Sequence, residues 1–544
     1  MRHTLRSAVA CLVSALLMFG ALTVAPVGVH AATTKPVLGW GDNKYGLVGD
    51  GTTKLRRRPV LVHGLSGVSS ITHDANATYA VKQDGTVWRW GSFDQYNNGA
   101  ISTFVIKTPT KMAGLSDVKS IALKQASAYV VRSDGTVWSW EFQNTPAPVP
   151  GLSDVASISL DESGYGGYAL KRDGTVWEFH SDGYLLPGNV PWPGATQLAG
   201  VDGIVRLTAA DYSDESNTQT SWYAVKSDGT VWTWGDNRGG QLGDGTTTSR
   251  TRPAQVPGVT GVSKVTAGLG AAYAVTTSGS VWAWGVNRGQ LGDGTKTDRA
   301  TPVRLPVLSH VVEIIPTADS YPSEATWYAR TTGGLVYYWG GGWPKPNGDL
   351  AAKHYRSGKV PMQVPGLSGV RKVVAYEVWG GGSPGSFGQS GMTGGYAIKS
   401  DGTLWAWGGH VGAAQGGLYK LIEAWAPTRI RGISGVTSVF PYDSGAYAIG
   451  TPVLKSFSKS PTPKISGTAK VGKKLTVKRG TWSPKPSFKY QWLRSGKKIV
   501  GATKSTYVLT GADAGKRISV RVTGSKSGYN TKSKTSAKTK PVKP

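Results

Sequence analysis

The sequence predicts an all-β fold: a closed β-propeller of eight four-stranded blades followed by a small β-sandwich. The first observation behind this prediction is a short phrase that recurs along the 544 residues. It consists of Tyr-Ala-Val, a turn of the Ser-Asp-Gly-Thr type and Val-Trp-x-Trp-Gly. Its copies begin at Tyr79, Tyr129, Tyr168, Tyr223, Tyr273, Tyr328 and Tyr396. Successive copies are 39 to 68 residues apart. Recurrence at intervals of this length indicates a repeat architecture.

The second observation is the pattern within each period, which contains four strand-like runs. In the fifth period these runs are 253–257, 262–267, 273–277 and 280–285. Val, Tyr, Trp and Thr at alternating positions are typical of half-buried strands, and Asp-Gly favours a tight hairpin turn between the last two runs. Four antiparallel strands per period predict one propeller blade per period.

The third observation concerns the two ends of the repeat region. Residues 37–43 (VLGWGDN) match a fourth strand without the preceding three, and residues 446–450 (AYAIG) match a third strand without a fourth. Pairing the two would complete an eighth blade and close the ring through the N-terminal strand.

The first 31 residues are predicted to be a signal peptide. Arg2 and Arg6 precede an apolar stretch over 8–22, and residues 29–31 (VHA) fit a cleavage site. No later segment is long and apolar enough to predict a membrane span. The mature chain is therefore predicted to be extracellular. The only cysteine, Cys11, lies in the signal, so no disulfide or cysteine-based site is expected after cleavage.

The charge of the chain is strongly asymmetric. The predicted domains are the propeller over 32–454, a Ser/Pro/Lys linker over 455–464, and a basic module over 465–544 whose last residues are expected to fray into a tail. Residues 455–544 contain 19 Lys and 4 Arg against the single acid Asp513, whereas 32–454 carry only +5. This asymmetry predicts an anionic cell-wall polymer as partner, with no physiological role for nucleic acid. The alternative is a composition that only keeps the segment soluble.

Two stretches resemble a known repeat family. Residues 234–259 and 284–306 are similar to the regulator of chromosome condensation repeat, and with the hairpins the likeness covers most of 37–450. The resemblance implies a propeller, usually of seven blades, which is the alternative to eight. The family's nuclear member exchanges nucleotide on a small GTPase, and secreted bacterial relatives include a propeller-type inhibitor of β-lactamases.

The basic module has a resemblance of its own. Residues 480–522 look like the immunoglobulin-like modules of secreted actinobacterial proteins. The likeness implies that Trp492 is a core tryptophan and that 513–515 form a turn.

Motifs for catalysis or metal binding are weak. Residues 42–51 and 236–245 approach the spacing of a calcium loop but lack its final Glu, so we interpret them as turns held by Asp and Asn side chains. The remaining histidines lack metal-ligand spacing: His63, His73, His180, His310, His354 and His410. No GxSxG, HExxH or phosphate-binding loop is present. We therefore predict no enzyme activity, no metal and no cofactor. A propeller hydrolase or lyase acting on extracellular glycans is the alternative.

Irregular aromatic residues indicate the binding surface, because the periodic tryptophans are expected to fill the core between blades. The long connections 209–221, 316–326 and 376–395 are predicted to emerge on one face of the ring. Loops on a rigid scaffold commonly carry binding residues. The predicted ligand-binding residues are Tyr212, Asp214, Glu215, Tyr321, Glu324, Trp379 and Phe387. The expected ligand is an extracellular protein, including an inhibited enzyme, or a glycan. Neutral drift of the loops is the competing interpretation.

Overall fold

The chain forms two compact units that divide after Thr451. The computed structural model describes residues 35–544 except 74–76, 98–99, 125–126, 142–144, 162–163, 181–184, 187–189, 192–193, 214–217, 318–325, 341–357, 379–391, 409–423, 443–444 and 527. Within these residues, no helix has the length and hydropathy required to cross a membrane.

The first unit is a propeller of eight four-stranded antiparallel sheets, as predicted. The chain begins with β1 (Pro36–Gly41) and β2 (Arg56–Ser66), which belong to the last blade. Blade 1 contains β3 (Val68–His73), β4 (Ala77–Lys82), β5 (Val87–Asn97) and β6 (Ala100–Lys111), and blade 2 contains β7 (Val118–Lys124), β8 (Ser127–Arg132), β9 (Val137–Glu141) and β10 (Ala147–Pro148). Blade 3 contains β11 (Val155–Leu160), β12 (Gly166–Lys171), β13 (Val176–His180) and β16 (Thr196–Gln197). A small hairpin of β14 (Leu185–Leu186) and β15 (Val190–Pro191) lies between β13 and β16 in the sequence.

The remaining blades follow the same order along the chain. Blade 4 contains β17 (Ile204–Ser213), β18 (Thr218–Lys226), β19 (Val231–Gly235) and β20 (Arg250–Gln255). Blade 5 contains β21 (Val262–Gly268), β22 (Ala271–Thr276), β23 (Val281–Gly285) and β24 (Arg299–Arg304). Blade 6 contains β25 (Val311–Pro316), β26 (Thr326–Thr331), β27 (Val336–Gly340) and β28 (Met362–Gln363). Blade 7 contains β29 (Val370–Val378), β30 (Met392–Lys399), β31 (Leu404–Gly408) and β32 (Ala424–Arg429). Blade 8 joins β33 (Ile433–Tyr442) and β34 (Gly445–Pro452) to β1 and β2.

The ring closes through the N-terminal strand, as the sequence predicts. Strand β1 pairs antiparallel with β34, with Val37 opposite Ile449 and Gly41 opposite Gly445. The predicted blade boundaries were wrong by one strand. Runs such as 253–257 form the outermost strand of the preceding blade, so β1 is a third strand and β2 supplies the fourth. Two N-terminal strands, rather than one, therefore seal the ring.

A tyrosine of each blade packs against the second aromatic residue of the Trp-x-Trp motif in the next blade. Ring centroids lie 5.4 to 6.5 Å apart, within the range of favourable aromatic pairs. Around the ring the pairs are Tyr79–Trp140, Tyr129–Phe179, Tyr168–Trp234, Tyr223–Trp284, Tyr273–Trp339, Tyr328–Trp407, Tyr396–Trp40 and Tyr447–Trp90. The periodic aromatics therefore form the core between blades, as predicted.

The Asp-Gly-Thr turns are held by a short hydrogen-bonded chain. In blade 1 the Thr86 hydroxyl donates to Asp84 Oδ1 at 2.6 Å, and Trp88 Nε1 donates to the same hydroxyl at 3.0 Å. The hydrogen bonds from Thr86 lower the pKa of the Asp84 carboxyl below its ordinary value. Blades 2, 3, 4 and 7 repeat the arrangement, which explains why the phrase recurs.

The first strand of each blade surrounds the axis of the propeller. These strands contact one another from blade to blade around the whole ring: β3, β7, β11, β17, β21, β25, β29 and β33. They therefore line a central channel. Each first strand starts at the face that carries the Asp-Gly-Thr turns, the tight-turn face. The connections after the first and third strands emerge on the opposite side, the long-loop face.

The second unit is a small sandwich of two sheets. One sheet contains β35 (Lys464–Ser466), β36 (Lys474–Lys478) and β39 (Thr506–Val508); the other contains β38 (Lys497–Lys498), β37 (Ser487–Arg494), β40 (Ile518–Ser525) and β41 (Lys532–Thr535). Trp492 is fully buried between them with Leu475 and Val520.

The ends of the second unit are ordered by backbone pairing. Lys455 forms a bridge with Tyr529, and Lys459 with Ser483, so part of the predicted linker pairs with the sandwich. The expectation of a frayed tail was wrong. Strand β41 pairs with β40, and Val542 is buried, because backbone hydrogen bonds fix a segment that has few apolar side chains.

Candidate functional site on the long-loop face

Of the seven predicted ligand-binding residues, the structure describes Tyr212. The other six lie outside the described residues: Asp214, Glu215, Tyr321, Glu324, Trp379 and Phe387. The described part of the long-loop face consists mainly of the loops that follow β1, β19 and β23.

A buried asparagine organises each of these three loops. In the loop after β19, the Asn237 amide donates to Asp244 Oδ1 at 3.3 Å and to the carbonyl oxygens of Thr246 and Thr248 at 3.1 Å each. Its Oδ1 accepts from the backbone N–H of Leu242 at 2.9 Å. Asn43 and Asn287 make equivalent bonds in their loops. The interpretation of 42–51 and 236–245 as turns held by polar side chains is therefore confirmed.

One acidic residue of each loop is neutralised by an arginine of the same connection. Asp244 forms an ion pair with Arg250, Asp50 with Arg56, and Asp293 with Arg299. Burial alone would raise the pKa of the Asp244 carboxyl, but hydrogen bonds from Thr246 and the charge of Arg250 lower the pKa below its ordinary value. These carboxylates are thus used for loop structure. Among the described residues, no group of three or more His, Cys, Asp or Glu side chains is placed to hold a metal ion.

Each loop also reaches over the next blade. Trp284 Nε1 of blade 5 donates to the carbonyl oxygen of Gln241 at 2.9 Å, and Trp90 and Trp339 bind the equivalent carbonyls of Leu47 and Gln290. Gly243 has a φ of 73° here, and a Cβ at this position would lie 2.7 Å from Trp284 Nε1. Only glycine therefore allows the loop to approach the tryptophan this closely. The result is a stiff rim that spans adjacent blades.

Tyr212 belongs to a polar and aromatic cluster on this rim. It is half-buried near the end of β17, and the Arg238 guanidinium lies over its ring, 5.9 Å from the ring centroid. Arg238 Nε is 2.9 Å from Oδ1 of Asp236, and Gln241 Nε2 donates to the other carboxylate oxygen at 2.8 Å. Asp236 is buried, so the network fixes Arg238 beside the aromatic ring.

A second polar contact lies at the end of the same strand. Asp211 accepts from Thr220 Oγ1 at 2.8 Å and forms an ion pair with Lys124 of blade 2. This ion pair links blades that are not neighbours and therefore crosses the long-loop end of the channel. Nearby in the ring, Tyr165 of blade 3 is 39% exposed in the connection after β11.

The structure changes the description of one predicted insertion. Residues 204–213 and 218–226 pair without interruption from Arg206 to Ser213, so most of 209–221 is an extension of a β-hairpin rather than a loop. Tyr212 stands on this hairpin. Arg238 and Tyr165 were not predicted as site residues. Arg238 falls inside a periodic loop, and Tyr165 lies in a short connection, whereas the prediction used only aromatics in long insertions.

Comparison with known proteins finds a similarity for part of the propeller. Residues 228–275 and 278–315 match the model of the Regulator of chromosome condensation (RCC1) repeat. The two matched segments together cover less than half of the chain. The human and mouse E3 ubiquitin-protein ligase HERC2 are each 25% identical to it over 260 residues, which is 45% of this chain and 4% of each relative. The match thus spans only a small part of these curated relatives.

Two solved structures are also similar to this chain. Yeast RCC1 (Prp20), solved with Kap60 bound, is 18% identical, with a TM-score of 0.47 over 77% of this chain and 89% of that one. Human WBSCR16 is 16% identical, with a TM-score of 0.47 over 77% of this chain and 100% of that one.

Proposed function

We propose that the protein is a secreted, non-catalytic binding protein. Its long-loop face recognises an extracellular protein or glycan, and its basic C-terminal unit associates with an anionic cell-wall polymer. The single observation that carries the first part is the difference between the two faces. In the part of the propeller that the structure describes, the long connections emerge on one face, where buried asparagines hold the loops, while the other face has tight turns.

A stiff rim favours recognition because little conformational entropy is lost when a ligand binds to ordered loops. The cluster of Tyr212 and Arg238 contains residue types that are enriched at binding hot spots, and Tyr165 adds an exposed aromatic side chain. The RCC1 repeat is compatible with such a role, since repeat folds present extended surfaces. Asp236, Asp244 and Asp293 of the described loops are engaged in ion pairs, which argues against their use as catalytic acids.

If the long-loop face binds the ligand, substitutions on this face should weaken binding in a capture experiment. The mature chain, residues 32–544, is immobilised and exposed to culture fluid and to an array of extracellular polysaccharides. The test variants are Tyr212→Ala, Tyr165→Ala and a chain in which Asn-Gly replaces residues 214–217. Loss of one aromatic hot spot is expected to weaken binding by ten- to a hundredfold, which corresponds to roughly 1.4–2.8 kcal/mol.

The matched control is Leu61→Ala, which removes a side chain that is 49% exposed on the outermost strand of blade 8. It should bind the captured ligand as the unaltered chain does. If all three test variants keep full affinity for that ligand, the binding surface lies elsewhere.

The proposal for the C-terminal unit is based on its internal charge balance. Its one acid, Asp513, is fully buried and lies 2.7 Å from Arg494 Nε. Burial alone would raise the pKa of the Asp513 carboxyl, but hydrogen bonds from Arg494, Thr510 and Tyr507 lower it below its ordinary value. No further carboxylate side chain is available in 455–544 for the other 19 Lys and 3 Arg. A polymer with repeated anionic groups would supply the missing counter-charge.

Binding of the mature chain to purified cell walls is therefore expected to fall steeply with salt concentration. Replacing the exposed Lys532, Lys538, Lys540 and Lys543 by Gln should weaken binding at low salt more than about tenfold and flatten the salt dependence. The control replaces four exposed propeller lysines by Gln: Lys54, Lys107, Lys111 and Lys119. Equal losses in both variants would show that total charge, rather than the C-terminal unit, determines the association.

A further inference from the structure

The first strands of the blades place one residue each at equivalent positions around the channel. In blades 1 to 7 the strand begins with a β-bulge, and the residue after the bulge lies opposite the same position of the second strand. In blade 8 the Thr437 hydroxyl donates to the carbonyl of Ile449 just as Ser69 does to Val81, which places Ser438 at the equivalent position. Around the ring these residues are Ser70, Ser120, Ser157, Arg206, Lys264, Glu313, Lys372 and Ser438.

Charge is confined to one half of this ring. Four consecutive blades contribute Arg206, Lys264, Glu313 and Lys372, whereas the other four contribute serine. Arg330 of the second strand of blade 6 lies opposite Glu313 and completes what we call the channel cluster. The cluster thus contains four cations and one carboxylate. All of them are half-buried.

The carboxylate of the cluster is already paired. Arg330 Nε donates to Glu313 Oε1 at 2.6 Å. Lys264 and Lys372 flank Glu313 from the two neighbouring blades. Within the part of the chain that the structure describes, neither lysine ammonium group makes a hydrogen bond or an ion pair. The adjacent Arg371 is directed to the carbonyl of Val436.

The pKa values of the two lysines reflect burial, opposed by the Glu313 carboxylate. Burial lowers the pKa of Lys264 below its ordinary value; the Glu313 carboxylate opposes this shift, and the Arg206 charge adds to it. Burial likewise lowers the pKa of Lys372, opposed by Glu313 and reinforced by Arg371. Cations grouped in a narrow, partly desolvated channel create a focused positive potential that attracts anions.

We propose that the channel cluster is an anion-binding site for a compact oxyanion, a phosphate or carboxylate group, held between Lys264 and Lys372. Both lysines lie near the start of their strands, so the ligand enters from the tight-turn face. The site is therefore separate from the long-loop face. The serines of the opposite half provide hydroxyl groups but no charge, so the ligand lies on the side of blades 4 to 7. Glu313 limits the affinity and excludes a second anion.

Calorimetric titration of the mature chain at low salt, with pyrophosphate in one arm and citrate in the other, tests this proposal. The C-terminal unit also attracts anions, but its contribution is the same in every variant. The test variant is Lys264→Gln with Lys372→Gln. The control is Lys111→Gln with Lys119→Gln, which removes the same charge from exposed positions of blades 1 and 2.

The test variant is expected to lose one binding site, with affinity at that site falling at least tenfold, while the control keeps it. A saturating anion should raise the Tm of the unaltered chain and of the control, but not that of the test variant. Glu313→Gln should bind the same anion more tightly, which keeps the proposal testable if the double variant folds poorly. The better of the two probes identifies phosphate or carboxylate as the preferred group. Identical isotherms for the unaltered chain, the double variant and Glu313→Gln would overturn the proposal.

Discussion

Deletion of residues 32–45 is expected to open the ring and to lower the Tm of the propeller by about 10 °C or more. The deletion removes β1, whose side chains Val37, Leu38 and Trp40 are fully buried. At ~1.5–3 kcal/mol for each buried apolar side chain, the loss is about 5–9 kcal/mol, which is comparable to the whole stability of many domains. Differential scanning calorimetry would measure the shift.

The deletion also exposes two strand edges, because β1 lies between β34 and β2. Unpaired edges promote aggregation, so the shortened protein should self-associate in light-scattering measurements. An unchanged melting temperature in a monomeric protein would contradict the closure.

A circularly permuted chain tests whether the pairing of β1, rather than its place at the N-terminus, stabilises the ring. This chain keeps β1 and joins it to β34 through a turn. In blade 7 five residues, Lys-Ser-Asp-Gly-Thr, connect Ile398 to its partner Leu404. In blade 8 the corresponding partners are Ile449 and Val37. The same five residues could therefore join Ile449 directly to Val37, with the chain beginning at Gly67 and ending at Ser66. This permutant, which lacks the second unit, should recover most of the Tm of the propeller, since every propeller strand keeps its neighbours.

The number of blades could be predicted because each copy of the repeated phrase forms one hairpin with a fixed turn. Periodicity gives the spacing of the units but not where a unit begins, so the blade boundaries were misplaced by one strand. The boundary depends on which strand lies nearest the axis. That is a property of the closed ring: β21 contacts β17 and β25, whereas the exposed β20 lies outside.

The same limitation hid the channel cluster. Arg206, Lys264, Glu313 and Lys372 share no motif, and in the sequence each is an ordinary charged residue of a short strand. They come together only when equivalent positions of successive blades are aligned around the axis. Tyr212 is a candidate from the sequence because it interrupts the repeat, and its role in binding stays a prediction. Arg238 is not a candidate from the sequence, because its contact with Tyr212 depends on how the hairpin packs over the periodic loop.

Replacing Asn237 by Ala is expected to destabilise the propeller by about 3 kcal/mol, because a buried amide that makes several hydrogen bonds leaves its partners unsatisfied. Asn237 is fully buried, and its loss would strand the carbonyl oxygens of Thr246 and Thr248 and the N–H of Leu242. Chemical denaturation monitored by tryptophan fluorescence would measure the change in the free energy of unfolding. Thr248→Ala is the control within the same loop, since its exposed hydroxyl makes no hydrogen bond to the described residues.

The position of Asn237 also gives the substitution a local effect. The loop carries Arg238 and supplies the Gln241 carbonyl to Trp284 of the next blade. Backbone amides of residues 238–248 should therefore exchange with solvent faster in Asn237→Ala, while those of blade 1 keep their protection. The rim near Tyr212 would then lose its fixed shape before the ring itself opens. A free energy of unfolding within about 0.5 kcal/mol of the unaltered chain, with unchanged exchange in the loop, would show that the asparagine does not determine the rigidity of the long-loop face.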